Sequence, residues 1–284
     1  MPGASDTCQA LGGVETSVVK HVAPCLGQGV AGRCPVAVRY QDTDVAEAYD
    51  RQRFHSPRGR YNNWRLRRLL NKVLEGLSPS SVVLDIPCGT GRIDNWLLNA
   101  SFRVIAADIS MEMLAVARRE VRPMPWWLGF LRADAGHLPF RSRSVDGVLC
   151  IRFLHLLDQQ ARLRCLNEMA RVTRQWVVVE YRIERPVKAA KRALIRWLTG
   201  RTGRKKMMVS GIADELSKCG LLADHYYFVS RWFSGSVLVM AHRREPGAVD
   251  EIEGHALRDD EVRQVVDPVD DREEGEEHAA ERER

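Results

Sequence analysis

Two carboxylates and a glycine pair stand where a ligand of an open α/β sheet would bind. Asp85 lies inside the short apolar run Val82–Ile86, which stops at Pro87. Gly89 and Gly91 follow one residue apart, and the segment 92–98 can be helical. Strand, tight loop and helix in that order form the first unit of such a sheet, whose ligands sit beyond the carboxyl ends of the strands. Glycine accepts φ > 0 and lets a ligand lie against the backbone, although Gly-x-Gly serves equally well in a plain βα turn. A dinucleotide loop would place a third glycine three positions after the second, for a pyrophosphate at the helix N-terminus. Asp94 stands there instead, so the loop suits a nucleoside ligand without a diphosphate. The second carboxylate, Asp108, closes the run Arg103–Asp108 and lies 23 positions after Asp85. An acid at the end of a second strand can accept hydrogen bonds from both ribose hydroxyls. It can also cap the helix expected over Ser110–Arg119, a task Ser110 can perform itself.

Further elements position these groups. Trp127–Arg132 reads as a third strand, followed by Ala133-Asp134-Ala135-Gly136-His137-Leu138-Pro139-Phe140. Ser144–Ile151 reads as a fourth strand, followed by Arg152-Phe153-Leu154-His155-Leu156-Leu157. A helix over Gln159–Val172 and a fifth strand over Trp176–Val179 continue the alternation. A helix over Ile212–Cys219, closed by Gly220, precedes strands His225–Ser230 and Ser236–His242, which form a hairpin signal. Before the sheet, Gln41–Arg53 has a weak helical pattern and Asn63–Leu77 a clear amphipathic one. Tyr49, Phe54, Tyr61 and Trp64 either line a pocket there or simply pack.

The run Asp-Ile-Pro-Cys-Gly-Thr-Gly-Arg (85–92) resembles the first motif of the class I S-adenosylmethionine-dependent methyltransferases. Asp108 and the Asp134–Phe140 segment follow in the family's order, and the likeness covers roughly residues 80–242. It is nearest to the small-molecule methyltransferases of the ubiquinone/menaquinone type. The resemblance implies an α/β, Rossmann-like three-layer sandwich. Its sheet would be seven-stranded and mostly parallel, with a C-terminal antiparallel hairpin. It implies an enzyme that uses S-adenosylmethionine. Asp85, Cys88, Gly89 and Gly91 would surround the methionine part. Asp108 would take the ribose, Asp134 with Ala135 the adenine, and Thr90, Ile109 and Ile151 would complete the cofactor site. His155 is the nearest histidine to the expected chemistry, able to take the acceptor's proton or only to orient its loop. No Asn-Pro-Pro-Tyr-type motif follows the fourth strand, which speaks against the enzymes that methylate amino groups of nucleic acids and proteins.

The 284 residues suit one large domain with tails, and 45% are hydrophobic. We read a poorly ordered leader over 1–40, a methyltransferase domain over 41–243 and a disordered acidic tail over 244–284. Residues 245–284 carry 16 acidic and 5 basic groups, whereas the remainder carries 38 basic and 21 acidic ones. A basic body favours anionic partners, or is only a solvated surface. Arg182–Lys206 holds ten Lys/Arg and one acid, within a basic helical insertion or lid over 182–210. Through 187–206 this segment could touch an anionic membrane, cover the acceptor, or pack on the sheet. The acceptor reads as a small or lipid-like molecule. The alternatives are RNA, held by the basic body, and a non-catalytic cofactor-binding scaffold. No apolar run is long enough for a membrane span. Seven scattered cysteines without a Cys-x-x-Cys pair suggest reduced thiols, a cytoplasmic protein and no metal site.

Overall fold

The computed structural model describes residues 43–54, 56–183, 209–229 and 235–244. Two helices come first, α1 (Thr43–Phe54) and α2 (Pro57–Leu74). α2 starts earlier than the apolar pattern suggests, because Ser56 and Pro57 form a start signal of their own. The Ser56 side chain accepts the Gly59 N–H, and Pro57 occupies the first turn, where a missing N–H costs nothing. The helix ends at Leu74 rather than Leu77, and buries Leu66, Leu69, Leu70 and Val73.

Strands and helices then alternate. The strands are β1 (Val82–Asp85), β2 (Arg103–Asp108), β3 (Trp127–Arg132), β4 (Val145–Cys150), β5 (Thr173–Arg182), β6 (Leu221–Phe228) and β7 (Ser236–Arg243). The helices between them are α3 (Arg92–Asn99), α4 (Met111–Glu120), α5 (Gln159–Val172) and α6 (Val209–Lys218). The sheet has the order β3-β2-β1-β4-β5-β7-β6. Its first five strands are parallel, and β7 runs antiparallel to both β5 and β6. This is the seven-stranded, mostly parallel sheet expected, with its terminal hairpin. The chain leaves β1 toward β2 and β3, then returns to β4 on the other side. The crevice of such a sheet opens at that reversal, outside the carboxyl ends of β1 and β4.

Helices cover both faces, so the central strands read as nearly continuous apolar runs. Val82, Leu84 and Ile86 pack with Val148, Leu166, Met169, Ile212 and Leu216 on the α5/α6 side. Val83 packs with Leu66, Leu70, Leu97 and Leu98 on the α2/α3 side. Side chains alternate along a strand, so Asp85 shares the face of Val83 and Asp108 that of Val104. Both acids are therefore set on the side covered by α3.

Three further elements depart from the sequence reading by three residues or more at one end or both. β5 spans Thr173–Arg182, well beyond Trp176–Val179, because β7 pairs with it continuously from Trp176 to Arg182. β6 runs from Leu221 to Phe228 rather than from His225, because a register shift between Ala223 and His225 breaks its alternation. α6 begins at Val209, not Ile212. The leader, residues 184–208 of the basic insertion, the hairpin turn and the acidic tail lie outside the described residues. Among the described residues, no helix is long and apolar enough to cross a membrane, and Cys88, Cys150, Cys165 and Cys219 are buried.

Candidate functional site

The loop after β1 is fastened to the end of β2. The Cys88 N–H donates to the Ala107 carbonyl at 2.8 Å, and the Gly89 N–H donates to Asp108 Oδ2 at 3.0 Å. Asp108 Oδ1 accepts the Ser110 N–H at 2.9 Å, and Ser110 Oγ in turn caps α4 by accepting the Met113 N–H. The capping task thus falls to Ser110. Each Asp108 oxygen keeps a lone pair for a hydroxyl donor. Burial raises its carboxyl above the ordinary range, while the N–H groups of Ser110, Gly89 and Ile109 work against that.

Both glycines of the loop have left-handed backbone. Gly91, at φ +79°, precedes α3, and a Cβ there would stand 2.5 Å from Val121 Cγ2. Gly89, at φ +57°, has nothing within 4 Å of the corresponding position. One glycine is required by close packing. The other presents bare backbone to open space, as a ligand-facing loop does.

Beneath the loop, Asp85 and Asp94 form a buried pair, at 1% and 0% exposure. Neither carboxylate has a hydrogen-bond partner outside the pair among the described residues. Burial, then the neighbouring Asp94, pushes Asp85 well above the usual carboxylate range. Burial also pushes Asp94 up to about 7. Two carboxyls that share a dry site cannot both ionise, so the pair holds a proton at neutral pH. Burial and the acids Asp94, Asp108 and Asp85 raise the Cys88 thiol as well, which keeps it protonated and unreactive. This edge of the sheet suits a cation, which would satisfy oxygens that are otherwise costly to bury.

The remaining sequence candidates are distributed around this edge. Thr90 is buried within the loop, and Ile109 is half-buried, its carbonyl accepting from Arg132 Nε at 3.1 Å. Asp134 follows β3 and is exposed. Its Oδ1 accepts the Gly136 N–H at 2.8 Å and its carbonyl accepts the His137 N–H, a turn that buries Ala135. Ile151 is buried with Leu149 and Val178 in the α2/α3-side core. His155 lies half-buried on a 3₁₀ turn, Leu154–Leu156, beyond the end of β4. Tyr61 and Trp64 pack on α2 with ring centroids 6.0 Å apart, and Arg68 lies over Trp64. Phe54's side chain lies outside the described residues.

Two groups escaped the sequence reading. Asp94 counted only as an argument against a pyrophosphate, although an acid in the first turn of α3, facing the strand, had to meet Asp85. Glu180 on β5 is buried, and its Oε2 accepts the Arg152 N–H at 3.0 Å. It thereby holds Arg152 in left-handed backbone, φ +60°, at the start of the segment carrying His155. Among the described residues, no cluster of three or more His, Cys, Asp or Glu could hold a metal ion.

Residues 83–175 match the family model described as a methyltransferase domain. They contain the glycine loop, both acidic strand ends and the whole β1–β4 edge. Over this span the chain carries a methyltransferase domain. Demethylmenaquinone methyltransferase of Renibacterium salmoninarum is 34% identical over 141 residues, 49% of this chain and 56% of that protein. The tRNA (carboxymethyluridine(34)-5-O)-methyltransferase of Schizosaccharomyces pombe is 27% identical over 135 residues, 47% of this chain and 54% of that protein. The chain spans about half the length of these curated relatives. Magnesium protoporphyrin IX methyltransferase from Synechocystis, solved with S-adenosylhomocysteine, shares the methyltransferase domain's fold. It aligns with TM-score 0.60 at 18% identity, over 73% of this chain and 99% of its own.

Proposed function

We propose that the chain transfers a methyl group from S-adenosylmethionine to a small or lipid-like acceptor. The observation that carries the first half is the buried Asp85–Asp94 pair under a glycine loop open at Gly89. That donor set fits this cofactor, which is cationic at its ammonium and sulfonium and carries ribose hydroxyls. Asp85 and Asp94 would take the ammonium, the loop Cys88–Gly91 the methionine chain, Asp108 the ribose hydroxyls, and Asp134 with the Ala135 N–H the adenine.

When bound, the cofactor supplies an electrophilic methyl group on a sulfonium. The chain's own work is orientation, since in-line displacement between held partners needs little further help. Asp108 fixes the Gly89 amide and the ribose together. Glu180 fixes the segment 152–157 against the end of β5, and His155 on that segment is the group for removing an acceptor's proton.

The demethylmenaquinone relative, with the higher of the two identities, supports a small or lipid-like acceptor. The tRNA relative and the arginine-rich α2 favour RNA as the second reading. Incubating the full chain with methyl-tritiated S-adenosylmethionine and cell extract separates them. Label in the organic-extractable fraction, lost in His155→Ala, is the expected result. Label in the RNA fraction, abolished by moderate salt, would replace the first reading with the second.

A further inference from the structure

The segment Leu138–Pro139–Phe140 leaves the sheet with backbone groups that find their partners on one helix. The Leu138 N–H donates to Glu168 Oε2 at 2.7 Å. Arg171 donates from Nη2 to the Leu138 carbonyl at 3.0 Å and from Nη1 to the Phe140 carbonyl at 2.7 Å. The same guanidinium grips Glu168 through Nε and Nη2, at 2.7 and 2.8 Å. Three backbone groups 30 or more residues away are thus satisfied by two side chains one turn apart on α5. Leu138 and Phe140 are buried on either side of Pro139, so these backbone groups have little recourse to water. Burial works against the Glu168 carboxylate, but Arg171 and the Leu138 N–H outweigh it and hold its carboxyl below the ordinary range. It therefore stays ionised, and the fork geometry persists.

We infer that Glu168 and Arg171 are positioning residues for the turn 134–140, setting how selectively that turn accepts adenine. This inference rests on the assignment of the turn as the adenine site. Among the described residues, no hydrogen bond joins Asp134 or Ala135 to either α5 residue. Their orientation follows from the Asp134–Gly136–His137 turn at one end and the clamped Leu138–Phe140 backbone at the other. Arg171→Ala strands the two carbonyls and frees Glu168, so the turn relaxes and the match between its amide and a purine edge is lost.

Titration calorimetry on the full chain tests this with two ligands that differ at one purine position, S-adenosylhomocysteine and S-inosylhomocysteine. Wild type is expected to prefer the adenine form by roughly tenfold or more, the worth of one specific hydrogen bond. In Arg171→Ala the preference is expected to fall toward unity, and in Arg171→Lys, which cannot fork, to an intermediate value. Glu168→Gln keeps the size and an acceptor for Leu138, and provides the reading where Arg171→Ala does not fold. A merely structural pair would lower the affinity for both ligands alike, so an unchanged ratio in all three variants overturns the inference. Wild type that binds both ligands equally would overturn the adenine assignment itself, and the clamp's role with it.

Discussion

Asp108→Asn is expected to weaken S-adenosylhomocysteine binding by roughly 100-fold, read by calorimetry. Asp108 Oδ2 and Oδ1 accept the Gly89 and Ser110 N–H groups, and in the proposed function both oxygens also accept the ribose hydroxyls. An asparagine presents only one oxygen, so its amide N–H₂ must face one of those backbone donors. Hydrogen bonds to a charged acceptor contribute about 1.5–3 kcal/mol each, and leaving a buried donor unsatisfied costs a comparable amount. Losing one such bond to the ligand, with the loop displaced, corresponds to about 2–3 kcal/mol, hence the hundredfold. The cap of α4 survives, because Ser110 Oγ supplies it independently. The far-ultraviolet circular dichroism of the variant should therefore match wild type. Undiminished affinity would remove Asp108 from the site.

Asp94→Asn should change stability in the direction opposite to most core substitutions. Asparagine is close in shape to the protonated acid, so it keeps the packing without the buried charge. Folded Asp94 has its carboxyl raised to about 7 by burial, whereas in the unfolded chain it ionises near its ordinary value. A raised carboxyl means that the folded state binds the proton more tightly. Its contribution to stability is complete below the unfolded value, and is lost as pH rises through the folded one. From pH 5 to pH 7, wild type should therefore lose about 1.4 kcal/mol per pH unit relative to Asp94→Asn. The difference reaches on the order of 3 kcal/mol by pH 7, visible in urea unfolding at the two pH values. Parallel curves for variant and wild type would show that Asp94 is not held neutral. The same variant should bind the cofactor more weakly, since a neutral amide replaces an acid able to ionise against an ammonium. Stability and binding then move in opposite senses, as for groups kept buried for a ligand.

The sheet was legible in the sequence because each central strand is an apolar run, and two of them, β1 and β2, end at an acid. β2 and β3 have the bounds that their residue patterns suggested. α2 started early because its first turn, Pro57–Arg60, is polar, so only the Ser56–Pro57 cap marks it. β6 lost its alternation at a register shift, which a period of two cannot anticipate. The positive-φ glycines 89 and 91 and the acid closing β2 were legible from residue type and order alone. The Asp85–Asp94 contact could not, since it requires strand parity and helix orientation at once. Glu168 and Arg171 are polar positions within an amphipathic helix, and their partners lie 30 to 33 residues away.

The central claim is that the edge built by Asp85, Asp94, Gly89 and Asp108 holds S-adenosylmethionine. Equilibrium dialysis of the full chain against the methyl-tritiated compound tests it most directly. Saturable binding of one molecule per chain, displaced by S-adenosylhomocysteine and not by adenosine diphosphate, is the predicted result. No saturable binding at millimolar ligand, or displacement by the diphosphate alone, would contradict it.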